Sequence, residues 1–276
     1  MSVIESLIYS FVSGIAEFLP VSSRAHQSLL RYMFGVDNDT YLADLAVHIG
    51  ILLAIAVGFR EILSRLRREK KAASVSHRRR VRSLDGRSYY DLRLLRTATV
   101  PLLFGLCVYP LTRDFVESLL ILVCFLVANG GFLLFAAHCR HGNREARTMS
   151  GLDGAAMGLL GAASVLPGIS RTGSISAYAV ARGADHQNAA NWAILLTIPA
   201  TLSAIVFDLI GVIFFGGAAF SFAAAVGFLL VCAGSFLGGW LGIVFFQIVL
   251  NHSGFTGFAY YSFGAAFFSF VLYLIT

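Results

Sequence analysis

Leu19-Pro20-Val21-Ser22-Ser23-Arg24 and, 147 residues further on, Leu166-Pro167-Gly168-Ile169-Ser170-Arg171 share the pattern L-P-x-x-S-R. Each interrupts a stretch that is otherwise apolar, 3 to 35 in the first case and 153 to 182 in the second. Proline removes a backbone N–H and disfavours helical geometry in the residue before it, so neither stretch reads as one continuous helix. Backbone freed at membrane depth has to be satisfied by protein or by a water-filled cavity, and a hairpin that enters and leaves by one face does this most economically. The two breaks therefore predict a pair of re-entrant helical hairpins.

Composition supplies the membrane. Hydrophobic residues make up 57% of the 276 and charged residues 13%, with a mean hydropathy of +0.76. A soluble domain so composed would lack the polar surface to cover itself. Apolar runs and their breakers place full spans near 41 to 59, 97 to 112, 117 to 137, 189 to 213, 219 to 249 and 256 to 275. The fold class expected is an all-α polytopic membrane protein, one membrane domain over 1 to 276, with six full transmembrane helices and two re-entrant hairpins.

The net charge of +6 is concentrated: thirteen of the 21 Lys and Arg lie between Arg60 and Arg96, and none follows Arg182. Arg140, Arg144 and Arg147 form a second group. Short basic loops between apolar spans follow the positive-inside rule, which puts both in the cytoplasm and argues against nucleic acid as a partner. The basic 60 to 96 loop also suits anionic lipid headgroups. Counting spans from there, the first hairpin enters from outside and the second from the cytoplasm. The chain then divides into inverted repeats over 1 to 138 and 150 to 276, with both termini outside and a site where the halves meet. Cys107, Cys124, Cys139 and Cys232 show neither disulfide nor zinc spacing. The N-terminus, with acidic Glu5 and no basic leader, reads as retained.

The breaks also carry the chemistry. Glu17, Ser22, Ser23, Arg24 and His26 cluster at the first, and Ser170, Arg171, Thr172, Ser174 and Ser176 at the second. Ionisable groups at membrane depth are costly and face a polar cavity or one another. A Glu17–Arg171 pair could merely brace two broken helices, or it could work in a site. Around 167 to 173, Gly168 and Gly173 would let N–H groups approach an anion at a helix start, with Arg171 gripping phosphate, although Ser and Gly there also serve plain capping. His26 could take a proton from Ser23, while Glu17 could ligate a divalent cation or orient the histidine. His48 is read equally as cavity lining or as a helix-to-helix hydrogen bond, and Asp208 as an acid within its span or one near enough to its outer end to be solvated.

Gly14-Ile15-Ala16-Glu17-Phe18-Leu19-Pro20-Val21-Ser22-Ser23-Arg24-Ala25-His26 and Pro167-Gly168-Ile169-Ser170-Arg171-Thr172 resemble the two motifs of the undecaprenyl-pyrophosphate phosphatase family (UppP/BacA), (E/Q)-G-x-x-E-F-x-P-x-S-S-x-x-H and P-G-x-S-R-S-x-x-T. The resemblance implies the fold above, often as a homodimer, in the cell membrane with the site facing the extracytoplasmic side. It also implies release of phosphate from a C55 isoprenyl pyrophosphate carrier with a divalent cation, Mg2+ or Ca2+, and thus recycling of that carrier for cell-wall synthesis. Carried over, Glu17, Ser23, His26 and Arg171 would be catalytic, with Glu17 also the metal ligand. Ser22, Arg24, Gly168, Ser170, Thr172, Gly173 and Ser174 would meet the substrate.

The departures are Ser13 where the family has an acidic or amide residue, Arg24 where it has a small polar one, Thr172 for a serine and Ile175 for a threonine. Ser23 assisted by His26 is the first choice of nucleophile, with water activated by His26 the alternative. A transporter or flippase of polyprenyl-phosphate lipid is the rival reading of the same inverted-repeat site.

Overall fold

A computed structural model describes residues 2–36, 41–73, 86–107, 118–140, 142–215 and 221–275. Its regular elements are helices: α1 (Val3–Phe18), α2 (Ser23–Phe34), α3 (Tyr41–Gly58), α4 (Arg60–Ala73), α5 (Gly86–Leu106), α6 (Leu119–His138), α7 (Gly151–Ala162), α8 (Arg171–Ala181), α9 (His186–Phe215), α10 (Phe222–Ser253) and α11 (Thr256–Ile275). Five of them, α3, α6, α9, α10 and α11, are long and apolar enough to cross a membrane. This is a multi-pass membrane protein.

Both interrupted stretches fold as helical hairpins. α1 starts in a Ser2/Glu5 capping box and stops where Pro20 forbids another turn. α2 returns alongside it, so that Arg31 in its last turn donates to the Tyr9 hydroxyl halfway up α1 at 2.6 Å. In the second hairpin a 3-10 turn (Ala163–Val165) precedes the break. There the open ends meet: Asp153 at the start of α7 accepts from Arg182 Nε at 2.7 Å and from the Tyr178 hydroxyl at 3.2 Å. Burial alone would raise the Asp153 carboxyl, but the Ser150 N–H and Arg182 hold it down at about 2.

Helix contacts are matched between the two halves. α1 packs on α10 as α7 packs on α5, and α3 meets α10 as α9 meets α5, while α3 and α9 touch each other, as do α6 and α11. The α1–α10 seam is built on Gly234, Gly238 and Gly242. A β-carbon on these would run into Ser10 Oγ, the Phe11 carbonyl and the Ile15 carbonyl, and one on Gly14 into the Ser235 carbonyl. Small residues at four-residue spacing let helix backbones touch, which is how helices associate where lipid removes the hydrophobic drive between them. Large apolar side chains such as Phe222, Leu229 and Phe267 point outward.

Two expectations need revision. The stretch 60 to 96 is not simply a loop, because α4 and the first half of α5 occupy 60–73 and 86–96. α4 is amphipathic: Leu66 is buried against α5 and Arg65 lies 3.6 Å from Asp91, so a basic surface coexists with an apolar inner face. The span expected at 97 to 112 begins inside α5, whose opening turns carry Arg87, Asp91, Arg93 and Arg96. Its continuation over 108 to 112 lies outside the described residues.

Candidate active site

The two breaks meet and satisfy one another's backbone. The Leu19 carbonyl accepts from Ser170 Oγ and Thr172 Oγ1, both at 3.2 Å, and the Gly168 N–H donates to Ser22 Oγ at 3.1 Å. Asn129 of α6, buried to 1% exposure, closes the arrangement. Its amide donates to the Pro20 carbonyl at 3.0 Å and its oxygen accepts the Ser170 N–H at 2.9 Å, so one side chain holds both loops. Backbone freed at the two breaks is thereby paired inside the protein.

The same pattern is used in two registers. In the first loop Ser22 caps α2, with φ at 66°, the sole positive φ of a non-glycine among the described residues. In the second loop the positive φ falls on Gly168, and Ser170 caps α8 by accepting the Gly173 N–H at 3.1 Å. The helix thus begins one pattern position earlier in the first loop. Ser23, the counterpart of Ser170, is released from capping and donates its hydroxyl to Glu17 Oε2. Glu17 Oε1 accepts Arg171 Nη1 at 2.6 Å, with side-chain exposures of 9% and 11%. Arg171 Nε also donates to Ser164 Oγ at 3.3 Å. Glu17 therefore joins a hydroxyl of one loop to a guanidinium of the other.

These groups line a polar pocket together with Arg24, Gln27, Ser28, Arg31, Asp44, His48, Ser170, Thr201 and Asp208. Arg31 is paired with Asp44 at 2.6 Å, and His48 Nδ1 with Asp208 Oδ2 at 2.6 Å. His48 accordingly does both things its sequence suggested. The guanidiniums of Arg24, Arg31 and Arg171 face the carboxylates of Glu17, Asp44 and Asp208, a balanced set that leaves an incoming anion largely uncompensated.

Of the expected site residues, the structure brings Glu17, Ser23, Arg24, Ser170 and Arg171 to this pocket. It does not bring His26. Nδ1 of that residue lies 2.8 Å from the Ser22 carbonyl and Nε2 2.6 Å from the Tyr261 hydroxyl of α11, and it lines a separate apolar cavity with Val12, Leu29 and Met33. Ser22, Gly168, Thr172 and Gly173 serve the interlock. The N–H groups of Gly168, Ser170, Gly173 and Ser174 donate to Ser22 Oγ, Asn129 Oδ1, Ser170 Oγ and the Ser170 carbonyl. Ser174 is buried in α8. Ile175 packs on Gly161 and reads as core, and Ser13 is buried with its hydroxyl unpaired. Sequence reasoning missed Asn129, Arg31–Asp44 and the joining of His48 to Asp208. An asparagine inside the run LVANGGFLL was the available signal for the first.

For a cation, Glu17 supplies one carboxylate, and no cluster of three His, Cys, Asp or Glu able to hold a metal occurs among the described residues. Mg2+ is commonly held by one or two carboxylates plus substrate phosphate oxygens and water. The residues present thus fit a cation that arrives with a phosphate, and not one caged by protein alone.

The charged pocket thus lies between two interlocked helical hairpins of a multi-pass membrane protein. The chain belongs to the BacA family, described as bacitracin resistance protein BacA, whose profile matches residues 6–268. It is 32% identical over 273 residues to an undecaprenyl-diphosphatase of Rubrobacter xylanophilus, covering 96% of each chain. A second undecaprenyl-diphosphatase, from Colwellia psychrerythraea, is 33% identical over 272 residues and 95% of each chain. One from Treponema denticola is 29% identical over 211 residues, 76% of each.

Proposed function

We propose that this protein hydrolyses undecaprenyl pyrophosphate to undecaprenyl phosphate and inorganic phosphate, recycling the lipid carrier at the cell membrane. The observation that carries this is Glu17, which holds the Ser23 hydroxyl with one oxygen and Arg171 with the other. A nucleophile and an anion-binding cation from two hairpins then face one pocket, the arrangement phosphoryl transfer requires. Family membership favours hydrolysis over transport. The backbone-to-backbone α1–α10 seam also suits a fixed wall better than a moving gate.

In this reading α5 belongs to a sixth span, the hairpins are re-entrant, and the halves are inverted repeats whose site opens outward. The isoprenyl tail stays among the spans while the terminal phosphate meets Arg171 and Arg24. Ser23 Oγ attacks its phosphorus and passes its proton to Glu17. The bond from that phosphorus to the bridging oxygen breaks, and the electron pair leaves with the isoprenyl monophosphate. Water then releases phosphate from Ser23. Glu17 would help to hold a divalent cation, Mg2+ or Ca2+, which would supply the positive charge that the balanced pocket lacks.

The test is phosphate release from an isoprenyl pyrophosphate by detergent-purified protein, with and without Mg2+ or Ca2+. Cation-dependent release, abolished in Arg171→Ala and Glu17→Ala, is the expected result. Folded wild-type protein that moves the lipid between leaflets while releasing no phosphate would overturn the assignment.

A further inference from the structure

The pocket holds an imidazole that the reaction above leaves idle. His48 of α3 and Asp208 of α9 come from opposite halves of the chain, are joined Nδ1 to Oδ2 at 2.6 Å, and both line the pocket beside Ser23 and Arg171. They also line an adjoining recess with Arg24 and Arg171. Asp208 fixes the tautomer: Nδ1 carries the hydrogen that the carboxylate accepts, and the Nε2 lone pair is left for the cavity. This is the geometry of a base oriented by an acid.

No other described histidine offers this. His26 has both nitrogens engaged outside the pocket, His138 and His252 bond carbonyls of their own helices, and His186 stacks edge-on against Phe255. The charged groups that bear on His48 are Asp208 from α9, Asp44 from α3 itself, Glu17 from α1, Arg24 from α2 and Arg171 from α8.

We infer that His48, oriented by Asp208, is the general base for the water that releases phosphate from Ser23. The inference rests on the phosphatase reading and on Ser23 as nucleophile. Water oxygen bonds to the phosphorus of phosphoserine while its proton passes to His48 Nε2. The phosphorus–Oγ bond breaks, and Ser23 Oγ recovers the proton held by Glu17. Inorganic phosphate leaves, and His48 returns its proton to solvent. Arg171 and Arg24 hold the phosphoryl group throughout, which places the water on the side of the recess that His48 lines.

His48→Gln is the informative change, because glutamine can still donate to Asp208 and fill the space but cannot take a proton. Single-turnover measurement with purified protein should show one equivalent of isoprenyl monophosphate formed at close to the wild-type rate. Phosphate release should be slower by about 100-fold or more, the usual worth of a general base. Substrate labelled in its terminal phosphate should leave label on the protein, lost in the additional change Ser23→Ala. Asp208→Asn, which retains a hydrogen-bonding partner, should slow phosphate release by about tenfold with the melting temperature in detergent close to wild type. A His48→Gln protein that releases phosphate within about threefold of wild type, or that slows both steps equally without trapping label, overturns the inference and leaves the phosphatase reading intact. Wild-type protein that releases no phosphate removes both.

Discussion

The first and second breaks have the same six-residue pattern and opposite employment. In the first, Ser22 takes the cap and the positive φ, so that Ser23 is free to meet Glu17. In the second, Gly168 takes the positive φ, Ser170 is consumed as the cap, and the arginine becomes the working group. A helix that starts one residue sooner turns every following side chain by about 100°, and this one-residue offset converts a duplicated motif into a nucleophile on one side and an anion grip on the other. Had the first loop used the register of the second, Ser23 would be the cap, as Ser170 is, and its hydroxyl would be lost to Glu17.

The widest separation between the loops should appear in their arginines. Arg171→Ala removes the partner of a buried carboxylate and the charge on the transferred group together, and should lower kcat/KM by about 1000-fold or more. Arg24→Ala should lower it by about tenfold, chiefly through KM. Equal losses in a steady-state assay would break the division of labour. Gly168 and Ser22 test the offset itself. A β-carbon on Gly168 would stand 2.7 Å from the Leu126 nitrogen, at a φ of 108°, so Gly168→Ala should cost about 3 kcal/mol of stability. At Ser22, glycine relieves a positive φ while losing a cap and the Gly168 tie, and Ser22→Gly should stay within about 1 kcal/mol of wild type by thermal melting in detergent.

The clamp at the open end of the second hairpin has a pH signature. A carboxyl held at about 2 in the folded protein contributes stability that is complete above the ordinary carboxylate range and disappears as pH falls toward 2. Asp153→Asn should therefore cost about 2 kcal/mol at neutral pH, and the difference from wild type should vanish near pH 2. The smallest effect sharpens the comparison of the serines. Ser170→Ala loses a cap worth about 1 kcal/mol and should leave kcat near wild type, whereas Ser23→Ala should abolish the chemical step.

Much of this was legible in the residues. Proline and glycine inside apolar runs announce a break whatever the tertiary structure, and the motif residues Glu17, Ser23 and Arg171 do gather in one pocket. The caps were less accessible. Whether Ser22 or Ser23 begins α2 is decided by which backbone groups the other loop offers, and that is information 147 residues away. His26 was misplaced for a related reason. Proximity to Ser23 in sequence said nothing of Tyr261, whose hydroxyl draws the imidazole to α11. Asn129, His48 and Asp208 stand out as polar residues inside apolar runs, but they act through contacts between segments far apart in the chain, and hydropathy does not name their partners. The spans were readable to within a few residues except at α5, whose charged opening turns continue as helix where composition suggested loop.

The interlock of the breaks also sets an order of events during synthesis. The Pro20 carbonyl and Ser22 Oγ find Asn129 and Gly168 as partners, which leave the ribosome more than a hundred residues later. At roughly 5–20 residues per second, the 147 residues between the motifs take about 7–30 s to translate. Through that interval the first hairpin has polar backbone groups that lipid cannot satisfy. On the re-entrant reading proposed above, the first hairpin reaches its final depth only when the second arrives.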